Sequence, residues 1–338
     1  MFIMDIGMLL LAGLIKQMHE IVGVPGLEYP NYDGLEVLSY QDTGPIYKFK
    51  NLKTGSGTKR FLSGEWMVIA NPYYYGHYLQ ENLGPLLLYR KYINSNIKVI
   101  WINQETPENA HDSNTFKKIG EEASKLFSFD GDEFISLNDF FNTEITFENL
   151  VTFFYGSRFV PGLNINNYIF KDLYQHNNAL INKELRNAYL NKIEKNKSLP
   201  KKIFLSRKKR SKLIEKFNNG EDPLRHAPSF YHDAIEDFFK TQGYEILEMS
   251  GKTVVEQASY VNNATHIAGI SGTAFLNGIF AEKDTKFYLI KSEPNYAYQH
   301  ELDSYSVSNE DFLFIEMYNK DNYDQVYSDI SKKMLEVL

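Results

Sequence analysis

No cysteine occurs among the 338 residues, so the chain forms neither disulfides nor thiolate zinc sites, and a reducing compartment suits it. Long apolar runs are nearly absent as well. The prominent one, MFIMDIGMLLLAGLIKQMHE, has no basic residue ahead of it and carries Asp5 inside it, which makes a poor signal peptide. At about fifteen residues it is too short to span a bilayer. It reads as a packed helix, or as a segment over residues 1–15 that touches a membrane surface or a partner. The expectation is a cytoplasmic protein. Positive charge is in deficit, with 36 Lys and Arg against 43 Asp and Glu and a formal net charge of −7. That balance argues against a protein that coats nucleic acid non-specifically. Internal repeats and low-complexity tracts are missing too.

What is present is ordinary globular composition, 43% hydrophobic and 23% charged, at a length that suggests two domains. The 24 Tyr and 24 Phe supply core volume and, in part, apolar walls for a sugar or base pocket. The first third reads as strands at Leu35–Tyr40, Ile46–Lys50 and Trp66–Ala70, with a Gly55-Ser56-Gly57 turn before the last. A helical stretch from His77 to Ile93, a buried strand Ile97–Ile102 and a helix Ser113–Phe127 follow. Glu133–Leu137 and Leu150–Tyr155 are further strands, and the segment from Ile169 to Lys195 has helical leucine spacing. The charged run KIEKNKSLPKK with Pro200 places a boundary near 197.

The second half alternates. Strands at Lys202–Ser206, Tyr244–Glu248, His266–Ile270, Phe287–Ile290 and Phe312–Ile315 interleave with helices at Phe230–Gln242, Thr253–Asn263, Thr273–Ala281 and Tyr323–Val337. This rhythm predicts a parallel sheet with right-handed crossovers. The domains are then 1–197, 198–320 and a closing helix, 321–338.

Parallel sheets bind ligands beyond the carboxyl ends of their strands. Two such ends look prepared. KIFLSRKKRSK is dense in Lys and Arg, and Arg207 directly follows the apolar strand. Its planar fork suits a diphosphate; a solvated basic loop or a nucleic-acid patch would account for the outer lysines equally well. In HIAGISGTAFLNGIF a strand runs into the small-residue turn Ser271-Gly272-Thr273 and then a helix, which makes either a phosphate cradle or a plain capped turn. In the first half, His77 and Glu81 stand four apart in PYYYGHYLQENLGPLLLYRKY and share a helical face, with Leu79 and Leu83 turned inward. Pro85 cannot donate to the carbonyl of Glu81, so the helix kinks or begins there. The pair suits a general base with its partner, or a surface ion pair.

Taken together these segments resemble family 61 of the glycosyltransferases, which includes plant xylan xylosyl- and arabinosyltransferases and animal O-linked N-acetylglucosaminyltransferases. The resemblance rests on His77, Glu81 and Gly84-Pro85-Leu86, then Ser206-Arg207, then Gly243-Tyr244-Glu245 through Glu248. Glu256-Gln257, Ala264, and Gly269, Gly272 and Asn277 complete it. The family's His in the last turn is Ser271 here, with Thr273 in place of Ala, so a hydroxyl must take over that work. The resemblance implies an α/β protein of GT-B type, two Rossmann-like domains facing across a cleft, and an inverting, metal-independent transfer. His77, oriented or assisted by Glu81, would be the base. Ser206, Arg207, Arg210 and the Ser271–Thr273 turn would hold the diphosphate, and Glu248 or Glu256 would accept from ribose hydroxyls. The donor would be a nucleotide-diphosphate sugar, UDP-linked, with no other cofactor and no metal, and the acceptor a glycan or other hydroxyl. The closing helix would return to the first domain.

Three alternatives stand beside this reading. Asp130-Gly131-Asp132 has the letters of a GT-A metal site, though a polar turn also explains it. A non-catalytic nucleotide-sugar or glycan-binding module would keep the fold without turnover. A nucleic-acid acceptor would use the basic 201–216 stretch, which lacks aromatic interleaving.

Overall fold

The computed structural model describes residues 35–40, 44–54, 57–70, 78–103, 113–136, 139–140, 142–153, 181–193, 196, 198–207, 229–270, 272–291, 312–316 and 322–335. The apolar N-terminal segment, residues 1–15, lies outside them. The chain divides into two compact units, one of residues 1–108 and 116–184, the other of 109–115 and 185–338. The division falls at Glu184–Leu185 rather than near 197.

The first unit holds a six-stranded sheet built from β1 (Leu35–Tyr40), β2 (Gly44–Thr54), β3 (Thr58–Ala70), β4 (Lys98–Asn103), β5 (Glu133–Ser136) and β6 (Thr143–Phe153). Their order is β1-β2-β6-β3-β4-β5. β3, β4, β5 and β6 run parallel, whereas β1 and β2 join antiparallel. The sheet is therefore mixed, and only its β6-β3-β4-β5 part matches the parallel half expected from the sequence. β2, β3 and β6 are each longer than their apolar cores suggested. Pairing extends through polar residues such as Lys53 and Thr54, opposite Thr146 and Ile145, because backbone ladders do not require apolar side chains. Trp66, Met67, Val99, Ile100, Trp101 and Ile102 are buried at its centre.

The second sheet is wholly parallel. It consists of β7 (Lys202–Ser206), β8 (Glu245–Glu248), β9 (His266–Ile270), β10 (Lys286–Lys291) and β11 (Phe312–Glu316), ordered β11-β10-β9-β7-β8. The interior strands are short with apolar middles; Ile203, Phe204 and Leu205 are all buried, as strands covered on both faces must be. On one face the helices Ser229–Thr241 and Tyr323–Leu335 pack over Phe204, Ala268, Ile270, Tyr288 and Ile290. On the other lies a 3₁₀ segment, Thr273–Phe280, whose Phe275 ring meets the strands at Gly269. A Cβ at Gly269 would stand 2.9 Å from both the Leu205 carbonyl oxygen and that ring, so packing alone requires glycine there.

The closing helix corrects the sequence reading. Its buried stripe of Val326, Ile330 and Met334 joins Ile235, Phe238 and Phe239 in the second unit's own core, and the Tyr327 ring meets Phe238 edge-on. A helix leaving the last strand of a parallel sheet covers that sheet's exposed apolar face, and Tyr323 Oη donates to Asp237 Oδ2 at 3.0 Å to fix its start.

Candidate functional site

In the second sheet the chain moves from β7 outward to β8 and then leaps back across β7 to β9. The two strands β7 and β9 are thus neighbours whose connections leave in opposite directions. That is the topological switch point of a doubly wound sheet, where a crevice opens beyond the carboxyl ends. β7 ends at Ser206 and is followed by Arg207. β9 ends at Ile270 and is followed by Ser271 and Gly272.

Gly272 sits at φ +154° and ψ 178°, a conformation open almost only to glycine. A Cβ placed on it would lie 2.6 Å from both Cζ and Nη1 of Arg207. The guanidinium therefore rests directly against the Gly272 backbone, which no side-chain-bearing residue permits. The 3₁₀ segment begins at the next residue, and Phe275 N donates to Gly272 O at 2.9 Å. The N-terminus of such a segment carries the positive end of its dipole. A half-buried guanidinium and a helical N-terminus converge on one spot at the switch point, an arrangement that favours an anion. The sequence predicted an α-helix here. The tighter 3₁₀ winding brings Ala274 and Asn277 onto one edge, where Asn277 Nδ2 donates to Ala274 O at 3.0 Å.

The acidic residues divide by role. Glu248, opposite Ser206 in the ladder, reaches the crevice edge, and its Oε1 stands 3.3 Å from Ser206 Oγ. Glu256 instead closes a capping box on the helix Val254–Asn263: its Oε2 accepts from Thr253 N at 2.7 Å, and its own N–H donates to Thr253 Oγ1 at 3.2 Å. Gln257 and Asn277, which carry part of the family resemblance, are also scaffold. Asn277 is fully buried and donates to Gln257 Oε1 at 2.8 Å, while Gln257 Nε2 donates to Lys252 O at 3.0 Å. This amide clamp ties the 3₁₀ segment to the helix beside it. Arg186 fixes the segment's far end by donating to the carbonyls of Ile279 and Ala281. Neither it nor Glu236, a buried acid whose Oε1 lies 2.5 Å from Ser206 Oγ, was anticipated. The available signal was a polar pair, His232 and Glu236, spaced i, i+4 within the otherwise apolar face of YHDAIEDFF.

In the first unit, residues 78–83 wind as a π-helix and an α-helix runs from Gly84 to Tyr92 with Pro85 in its first turn. Pro85 has no N–H for the Glu81 carbonyl, and a wider turn moves that bond one residue along. Leu79 and Leu83 are fully buried, as their spacing predicted. Tyr78 is also buried, and burial, aided by Glu122, holds its hydroxyl protonated far above its usual pKa. Gly84 leaves no room for a side chain against Ile181 and the Leu79 carbonyl. π-turns of this kind recur at functional sites, and Glu81 lies within this one.

Asp132 is a strut. Its side chain is 1% exposed and accepts from Val99 N at 2.9 Å, Trp101 Nε1 at 3.0 Å, Phe129 N at 3.1 Å and Arg90 Nη2 at 3.1 Å. Burial lowers the pKa of Arg90 and the Asp132 carboxylate counters it. A carboxylate committed to that set of donors serves the fold of this unit. Among the described residues no three His, Asp or Glu side chains cluster as metal ligands, and no helix is long and apolar enough to cross a membrane. His77, Arg210 and Ser271 lie outside the described residues, as do the side chains of Glu81 and Thr273.

Residues 75–288 match the family model described as Glycosyltransferase 61. The match begins at the π-turn segment and ends in β10, so it takes in the crevice, both its strand ends and the amide clamp. No curated protein matches the sequence.

Proposed function

The chain belongs to glycosyltransferase family 61, and from that premise we propose an inverting, metal-independent transferase of GT-B type that uses a nucleotide-diphosphate sugar, UDP-linked, and a hydroxyl acceptor, most simply a glycan. The observation that carries the reading is the Arg207 guanidinium seated on the Gly272 backbone at the switch point of the parallel sheet. There it meets the departing diphosphate, with Ser271, the first-turn N–H groups at Thr273 and Arg210 as further donors. Glu248 accepts from the ribose hydroxyls; Glu256, spent on its capping box, has the lesser claim to that role.

The chemistry follows from the charges that develop. A base, His77 with Glu81 as its partner, removes the acceptor hydroxyl proton. The oxygen attacks the anomeric carbon from the side opposite the diphosphate, and the bond to the diphosphate oxygen breaks with its electron pair. The negative charge arriving there is met by Arg207 and backbone N–H groups already in place, the kind of preorganised stabilisation that contributes most to rate. The base contributes ~10²–10⁴-fold. His77→Ala should therefore lose turnover while keeping nucleotide affinity.

The test is a panel of nucleotide sugars incubated with the protein in EDTA, followed for release of the nucleoside diphosphate with and without glycan acceptors. Release that survives EDTA supports the reading. Strict dependence on added Mn²⁺ would overturn it, and binding without release would instead favour a non-catalytic module.

A further inference from the structure

The helix Ser229–Thr241 packs Tyr231, Ala234, Ile235, Phe238 and Phe239 into the core of the second unit. His232 and Glu236, one turn apart on the same helix, are nonetheless only 2% and 9% exposed. An interface between helix and sheet disfavours both, because each must be stripped of water. Glu236 Oε1 lies 2.5 Å from Ser206 Oγ, whereas Glu248 Oε1 lies 3.3 Å from it. A serine hydroxyl carries a single proton, and the nearer carboxylate takes it. The Ser206 rotor is thereby directed toward the helix, with Glu248 as its longer contact.

Ser206 is the last residue of β7, and Arg207 departs from the next Cα to reach Gly272. A long, flexible side chain holds a defined place only if its root is defined. We propose that Glu236 is a positioning residue of the donor site: its buried carboxylate anchors the Ser206 hydroxyl and so holds the Arg207 guanidinium over the Gly272 turn, where the diphosphate binds. The proposal rests on the donor-site reading given above. It explains why an acid persists on a helix face where an apolar side chain of the same shape would serve the fold as well or better.

The experiment is calorimetric titration of UDP, GDP, ADP and CDP, each in turn, into the full chain, with thermal unfolding recorded on the same preparations. The key variant is the double change Ser206→Ala with Glu236→Met, which removes both ends of this hydrogen bond. It should bind the preferred nucleotide about tenfold more weakly, the scale of one lost charge-assisted hydrogen bond. Added to Arg207→Ala, the same pair should change affinity by less than about twofold, because Glu236 acts through Arg207. A role confined to stability would move the unfolding temperature and leave affinity alone. Wild-type affinity in the double variant, or a full tenfold loss persisting on top of Arg207→Ala, overturns the proposal. Glu236→Gln, of the same shape, covers the case in which the double variant fails to fold; it should weaken binding about threefold, and unchanged binding counts against the idea. If the unaltered protein binds none of the four nucleotides, the donor-site reading itself falls and takes this one with it. Tight binding with indifferent variants removes Glu236 alone.

Discussion

In the first unit a buried carboxylate, Asp132, accepts from two backbone N–H groups, an indole and a guanidinium, and ties β4, the helix Gly84–Tyr92 and the turn before β5 together. In the second unit the buried acid Glu236 accepts from the Ser206 hydroxyl at a strand end, next to a guanidinium that lies against bare glycine backbone. Both are ionisable groups taken out of water. They differ in where the charge sits: Asp132 ties together the interior of its unit, whereas Glu236 and Arg207 stand at a strand end on the switch point of a parallel sheet. The carboxyl ends of parallel strands are where such sheets bind ligands. Arg-carboxylate chemistry by itself does not distinguish them; topology does.

The comparison can be broken or sharpened by substitution. The largest effect is expected at Asp132. Asp132→Ala leaves the Arg90 guanidinium buried without its carboxylate and should cost about 3–5 kcal/mol in urea unfolding, with nucleotide affinity unchanged wherever the protein folds. A variant that stays stable but loses Mn²⁺-stimulated turnover would make Asp132 a metal ligand after all. Next is Gly272→Ala, which forces a side chain into a glycine-only conformation and against Arg207. A stability loss of about 1–3 kcal/mol should come with weaker UDP binding, and a loss of stability alone would detach Arg207 from the site. Glu256→Ala removes the capping box and should cost about 1 kcal/mol, with affinity for UDP retained; lost affinity would return Glu256 to the ribose. The smallest effect is at His266, at the opposite end of β9. Burial, then Lys202 and Lys286, lower its pKa in the folded state. The unfolded chain therefore binds the proton more readily, and stability falls as pH drops below about 6.5 until the folded pKa is passed. His266→Gln should flatten that part of the urea-midpoint profile between pH 7.5 and 5.5, and an unchanged slope would assign it to other groups.

Much of this was legible in the sequence where one signal dominates. The strands Lys202–Ser206 and His266–Ile270 and the helix Ser113–Phe127 match to the residue, because short apolar runs between turn signals and long amphipathic repeats leave little choice of period. Pro85 announced the helix break, and the inward turn of Leu79 and Leu83 followed from spacing. β1 was read to the residue and β2 in part, but the antiparallel joining of β2 to β6 was not legible, since it depends on a partner distant in the chain. Glu256 was read as a ribose contact and Gln257 and Asn277 as marks of the family; that they also meet Thr253 N, Lys252 O and Ala274 O was not legible, because caps and buried amides use the same side chains as ligand contacts. Glu236 was missed for the converse reason: an acid in a helix ordinarily faces solvent.

The central claim, that the donor diphosphate lies at the carboxyl ends of β7 and β9, is tested most directly by titrating UDP calorimetrically into the unaltered protein, Arg207→Ala and Lys208→Ala. Arg207→Ala should cost about 1.5–3 kcal/mol of binding, the range for a hydrogen bond to a charged group, while Lys208→Ala changes it little. Equal weakening by both would contradict the account, since it would mean that a diffuse basic field, and not a guanidinium placed on Gly272, holds the nucleotide.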